Sequence, residues 1–357
     1  METIFINHDK KKFEIHAYSL NNLEDIAAFI VSDGKGILAA DESNGTMGKR
    51  LQAIDTQSTQ TIRRDYREML FRADGIKNNI GGVILFDETI RQKAKDGTPL
   101  IDVITGQGAL PGIKVDKGLK PLEGSPEESI TQGLDDLDDR CNEYQRIGAK
   151  FAKWRAVIKI GEKIPTDQCI NENMYALAEY AKIVQNNDMV PIVEPEVLID
   201  GNHSIERCFE VSETTLSTLF NCLNSNRVNI QATILKPSMV TSGSEAESQA
   251  SVNEVAEQTL RCCLANIPPE LPGITFLSGG QSDIDATAHL DAMNKIGGFN
   301  WKLSFSYGRA LQQPALKAWL GKNENVVAAQ QALSHRALMN KKAALGEWNS
   351  SLEESSA

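Results

Sequence analysis

Residues 151–197 read FAKWRAVIKIGEKIPTDQCINENMYALAEYAKIVQNNDMVPIVEPEV. Two nearly unbroken apolar runs, Phe151 to Ile160 and Val190 to Val197, flank a stretch of different period. In that stretch Ile170, Met174, Leu177, Ala181 and Val184 recur at spacings of three and four. A run that is apolar at successive positions suits a strand buried on both faces, whereas the middle stripe marks one face of a helix. Strand, helix and strand in this order make a parallel crossover, because parallel neighbours need a long connection. The exceptions inside the strands are Lys153, Arg155, Glu194 and Glu196.

The same unit repeats outward in both directions. Upstream runs are Gly36 to Ala40, Gly82 to Phe86 and Gly112 to Val115; downstream ones are Gln231 to Leu235, Gly273 to Leu277 and Trp301 to Phe305. Helical stripes fall between them, such as Ile62, Tyr66, Met69 and Leu70, and Leu134, Leu137, Cys141, Tyr144 and Ile147. These stripes are read as packing and nothing more. Eight alternating units predict an α/β chain folded as one (β/α)8 TIM barrel domain. No GxGxxG follows the first run, which removes the usual support for a dinucleotide fold. The barrel domain is expected over residues 1–340, with a flexible tail over 341–357 that is rich in Ser, Glu and Lys.

Composition narrows the function. The chain has 357 residues and a net charge of -11, which argues against a general nucleic-acid binder. No run approaches the roughly twenty apolar residues that a membrane span needs. Lys10, Lys11 and Lys12 precede no apolar segment, and Glu2, Asp9 and Glu14 do not suit a transit peptide. The six cysteines form no CxxC pair and read as reduced thiols of a cytoplasmic protein. The five histidines are isolated, so neither a metal nor another cofactor is expected.

In such barrels the chemistry sits at the C-terminal ends of the strands. Asp41 and Glu42 end the first run, and Lys114 and Asp116 lie at the end of the third. Lys153 and Arg155 lie on the fourth, Glu194 and Glu196 on the fifth, and Lys236 ends the sixth. Any single charge there is ordinarily a solvated loop residue. Sets converging from five strands are not, because burying unpaired charge costs several kcal/mol and is expected only around a functional cavity. Lys236 lies between Leu235 and Pro237, with Lys153 on a neighbouring strand. Apolar neighbours and a nearby cation favour the neutral amine that imine formation requires. Ser278-Gly279-Gly280 and Ser306-Tyr307-Gly308-Arg309 follow the last two runs, where such barrels commonly bind phosphate. Ser43, Thr46 and Arg50, together with Lys114, suggest a second anion site. Two anion sites flanking a reactive lysine imply a bisphosphate.

Taken in order, these blocks resemble the class I fructose-1,6-bisphosphate aldolases. The matching segments are Gly34 to Ser43, Gly81 to Phe86, Gly112 to Gly118, Phe151 to Arg155, Val190 to Glu196, Leu235 to Pro237, Phe276 to Ser282 and Ser304 to Arg309. The resemblance implies a barrel, usually a homotetramer, that interconverts fructose 1,6-bisphosphate with dihydroxyacetone phosphate and glyceraldehyde 3-phosphate. It implies Lys236 as the Schiff-base lysine and Glu194 as the proton donor and acceptor for carbinolamine formation and dehydration. Asp41 would polarise the reacting hydroxyl and Lys153 would stabilise charge beside it, with Glu196 and Arg155 in support. Ser278, Gly279, Gly280, Ser306, Gly308 and Arg309 would hold one phosphate, and Ser43, Thr46, Arg50 and Lys114 the other.

Two positions depart from the family pattern. Thr46 stands where serine is common, and it keeps the hydroxyl. The chain closes on Ser355-Ser356-Ala357, without the terminal tyrosine of animal and plant members, so tail-assisted proton exchange is not expected. Alternative readings are a related Schiff-base enzyme preferring sedoheptulose 1,7-bisphosphate, or a phosphosugar-binding scaffold without catalysis. The second would have no need of Lys236, Glu194, Asp41 and Lys153 together.

Overall fold

The computed structural model describes residue 20 and residues 22–356, so the basic N-terminal stretch read for targeting lies outside the described residues. Eight strands form the barrel: β1 (Gly36–Ala40), β2 (Ile80–Leu85), β3 (Leu110–Lys114) and β4 (Phe151–Ile158), then β5 (Val190–Val197), β6 (Ile234–Leu235), β7 (Gly273–Phe276) and β8 (Lys302–Tyr307). Each pairs in parallel with its sequence neighbours, and β1 closes on β8 through Ile37 opposite Ser306 and Leu38 opposite Tyr307. Every expected run forms a strand. The shortest is β6, which starts after a single 3-10 turn at Ile230–Ala232 and stops before Pro237, which has no N–H to donate. The Lys236 amide still donates to the Val193 carbonyl at 2.8 Å, which keeps the lysine in the barrel wall.

The barrel interior is divided along its axis. At the N-terminal end, Ile37, Ile84, Leu110, Phe151, Val190, Ile192 and Ile234 meet Ile26, Phe29, Ile30 and Val31. The last group comes from helix Leu23–Ile30 and its C-cap, so this helix plugs the bottom of the barrel. Its start is fixed by the Asn22 side chain, which accepts from the Asp25 amide at 2.7 Å. Glycines make room for the plug and for the Phe151 ring. A Cβ at Gly81 would stand 2.3 Å from the Ile30 carbonyl oxygen, and one at Gly112 would stand 2.2 Å from the Phe151 ring.

A second apolar layer lies between barrel and helices. Helix Asp167–Asn186 buries Ile170, Met174, Leu177, Ala181 and Val184, the stripe the sequence shows. No helix among the described residues is long and apolar enough to cross a membrane. The six cysteines are free, and five of them are buried.

Two features differ from the sequence reading. An antiparallel hairpin, Leu119–Leu122 with Ser125–Thr131, follows β3. Its residues are mostly polar and partly exposed, so no apolar alternation marks them. The boundary set at residue 340 is also corrected. Helix Val326–Ala344 runs through it, and Asn340 is fully buried, accepting from the Thr287 hydroxyl at 2.7 Å. Beyond the helix, the Trp348 amide donates to Asp291 at 2.9 Å and its indole to Glu353, also at 2.9 Å. Glu353 in turn accepts from buried Arg336 at 2.5 Å. Polar composition suggested a loose tail, but those polar groups find partners on helices Asp283–Ile296 and Val326–Ala344.

Gly81→Ala tests the plug. The clashing atom is backbone, which cannot rotate away, so the substitution should destabilise by about 1–3 kcal/mol. Thermal unfolding would measure this, and an unchanged melting temperature would show that the helix is free to shift.

Candidate active site

Opposite the apolar plug, the C-terminal ends of the strands enclose a cavity of about 910 Å³. Alternation along β4 and β5 turns Lys153, Arg155, Glu194 and Glu196 to one face of the barrel wall, and all four line the cavity. At the centre lies a row of buried charges. The Lys236 amine is 3.2 Å from Glu194 Oε1, and Lys153 is 3.1 Å from Glu194 Oε2. Lys153 also lies 2.8 Å from Asp41 Oδ2. Lys153, Glu194 and Lys236 are each no more than 4% exposed. Arg155 is paired with Glu196 at the edge of this row.

Electrostatics fix the charge states in the row. Burial alone would raise the Asp41 carboxyl, but Lys153, Lys236 and Lys114 together hold it below the ordinary carboxylate range. For Glu194 burial again pushes upward, and Lys153, Lys236 and Arg155 outweigh it, so its carboxyl is lowered. Lys153 is the converse case. Burial disfavours its charge, yet Asp41, Glu194 and Asp116 raise it above the usual lysine value. A charged amine therefore stands between two carboxylates.

Two backbone cradles flank the row. Ser278 and Gly279 after β7, and Ser306, Gly308 and Arg309 at and after β8, line one side; Gly280 does not line the cavity but lies near the Arg309 guanidinium. Gly279 and Gly280 adopt φ of +51° and +91°, a left-handed turn that a side chain would strain. Helix Arg309–Trp319 begins at this cradle, so its N-terminal end adjoins it. The Ser306 hydroxyl is buried and has no hydrogen-bond partner among the described residues. On the other side, Ser43 caps helix Asn44–Gln52, with its hydroxyl 3.1 Å from that of Thr46. Arg50 and Lys114 complete that side.

All the site residues singled out in the sequence line this one cavity except Gly280, which follows Gly279 in the same turn. Sequence reasoning did not select the rim residues Asp87, Arg91, Arg140, Glu143 and Tyr144, which also line it. They lie on helices and loops, where a charge carries no strand-end signal. No cluster of histidine, cysteine or carboxylate side chains suited to a metal ion occurs among the described residues.

The fold and the site define an enzyme built on a closed parallel barrel, with a buried row of amine and carboxylate groups in the cavity at its C-terminal mouth. The family model of class-I fructose-bisphosphate aldolase matches residues 22–357. The "probable fructose-bisphosphate aldolase class 1" of Xanthomonas axonopodis pv. citri is 51% identical over 331 residues, spanning 92% of this chain and 99% of the relative. Cytosolic fructose-bisphosphate aldolase 6 of Arabidopsis thaliana is 50% identical over 323 residues, 90% of either chain. The crystal structure of fructose-bisphosphate aldolase from Plasmodium falciparum, in complex with TRAP and an inhibitor, superposes with a TM-score of 0.91 at 46% identity. It covers 92% of this chain and 95% of its own. The chain belongs to the class I fructose-bisphosphate aldolases, lyases that reversibly cleave fructose 1,6-bisphosphate.

The charge row predicts a pH-dependent stability. Lys153→Met strands two buried carboxylates and should destabilise by about 3 kcal/mol at pH 7. Lowered carboxyls contribute stability above their unfolded value, and that contribution fades as pH falls through the folded value. The gap between variant and wild type should therefore narrow below the unfolded aspartate value of 3.8. A gap that widens with acid in thermal melts would contradict these charge states.

Proposed function

We propose that Lys236 supplies the amine through which this aldolase works. Its nitrogen adds to the ketose carbonyl, and the resulting carbinolamine loses water to give a protonated imine. Glu194, 3.2 Å from that nitrogen, donates and accepts the protons of addition and dehydration. Asp41 draws the proton from the C4 hydroxyl, and the C3–C4 bond breaks. Its electron pair moves into the imine as an enamine while glyceraldehyde 3-phosphate leaves. Lys153, charged and 2.8 Å from Asp41, offsets the negative charge that develops on the C4 oxygen as its proton moves to Asp41. Protonation at C3 and hydrolysis of the imine then release dihydroxyacetone phosphate. Glu196 and Arg155 hold one another and support the row. The observation that carries this reading is the continuous contact from Lys236 through Glu194 and Lys153 to Asp41.

The cradle of Ser278, Gly279, Gly280, Ser306, Gly308 and Arg309 binds the 1-phosphate in this reading, where the orphaned Ser306 hydroxyl gains a partner. Ser43, Thr46, Arg50 and Lys114 take the 6-phosphate. The enzyme acts in the cytoplasm as a homotetramer, a reading supported by family resemblance and by the cytosolic Arabidopsis relatives.

Borohydride added with dihydroxyacetone phosphate should reduce the imine and fix the ligand on Lys236, with trapping and turnover both unaffected by EDTA. Lys236→Ala should abolish both. An adduct mapped to Lys153 or Lys114, or a loss of activity in EDTA restored by zinc, would overturn the mechanism. For assembly, sedimentation velocity should return a mass near four chains, and a monomer at working concentration would exclude the tetramer.

A further inference from the structure

Two carboxylates outside the catalytic row each hold one cation of the side assigned to the 6-phosphate. Glu42 follows β1, and its side chain is 6% exposed. Its Oε1 accepts from Arg50 and, at 2.8 Å, from Gln312; its Oε2 accepts at 2.6 Å from Arg67, which is 2% exposed. Gln312 also donates to the Ala39 carbonyl at 2.6 Å and accepts from the Tyr66 hydroxyl at 3.1 Å. The Arg50 clasp is thereby tied to β1 and to helices Gln60–Phe71 and Arg309–Trp319. Asp116 does the same for Lys114, accepting from its amine at 2.6 Å through Oδ1 and at 2.9 Å through its carbonyl oxygen. Its Oδ2 is buried, with no hydrogen-bond partner among the described residues.

We infer that Glu42 and Asp116 are positioning residues that set the preference of the enzyme for a bisphosphate over a monophosphate. The inference rests on the assignment of Arg50 and Lys114 to the second phosphate. Both cations are long flexible side chains that lose rotamer freedom when fixed. Fixing them before the substrate arrives removes that cost from binding. They also stand with Lys153 and Lys236 in one cavity, where unpaired like charges would push them apart. A dianionic phosphate offers several charged oxygens to both held cations at once, and a neutral hydroxyl in its place offers a single uncharged one. The carboxylates therefore act on the part of the substrate that distinguishes the two ligands, and only through Arg50 and Lys114.

The test is the ratio of kcat/KM for fructose 1,6-bisphosphate to that for fructose 1-phosphate, measured on the full chain. Asp116→Asn should lower the ratio tenfold or more. Glu42→Gln should lower it too, with a drop in melting temperature because Arg67 loses its counter-charge. If Glu42→Gln fails to fold, Asp116→Asn carries the test alone. A purely structural role would depress both substrates together and leave the ratio intact, which would overturn the inference. So would a ratio that rises, since the carboxylates would then merely compete with phosphate. Lys114→Ala separates the two failures. If it too leaves the ratio unchanged, the assignment of the subsite is wrong; if it lowers the ratio while Asp116→Asn does not, only the positioning role is wrong.

Discussion

The ammonium of Lys153, held between Asp41 and Glu194, is the contact on which the site depends. A buried cation is tolerated only when counter-charges and good geometry replace its lost hydration. The cation comes from β4, and the carboxylates come from the residue after β1 and from within β5. Strands β1 and β4 are not neighbours in the sheet, so they meet only across the interior of a closed barrel. Closure in turn requires that the opposite end be filled, and helix Leu23–Ile30 fills it with Ile26, Phe29 and Ile30. The apolar plug and the ionic row are therefore two consequences of one geometry, each occupying one end of the same tube.

This arrangement also explains how an acidic protein suits an anionic substrate. The net charge of -11 is a property of the whole chain, whereas the cavity gathers Lys114, Lys153, Lys236, Arg50, Arg155 and Arg309 within one wall. Their carboxylate partners prevent mutual repulsion and set charge states at the same time. Asp41 and Glu194 are kept ionised by the lysines they restrain, and Lys153 is kept charged by them. In a low-dielectric cavity such reciprocal pairing is worth more than at the surface, which is why the row can remain fixed and ready for a substrate.

Much of this was legible in the chain. The strands announce themselves because burial on both faces demands unbroken apolar runs, and a charge inside such a run stands out, as Lys153 and Glu194 do. The glycine-rich ends after β7 and β8 were readable for the same reason. What escaped were elements without such contrast. The hairpin Leu119–Thr131 is mostly polar, and its buried residues, Leu122, Glu128 and Thr131, do not alternate along it. Asn340, Trp348 and Glu353 looked like members of a loose tail, because their partners Thr287, Asp291 and Arg336 are named only by the folded contact. Glu42 and Asp116 were visible as strand-end charges, but nothing local revealed that they restrain Arg50 and Lys114.

The sequence by itself determined the barrel and placed the charged residues at the strand ends where its cavity lies. These follow from periodicity and from strand direction, which are local properties of the chain. Only the tertiary structure decided which charge faces which: Lys153 with Asp41 and Glu194, Arg50 with Glu42, and the tail with Arg336. The physical reason is that electrostatic pairing depends on separations of a few ångströms in space. Such separations arise between residues far apart in the chain, and no local pattern records them.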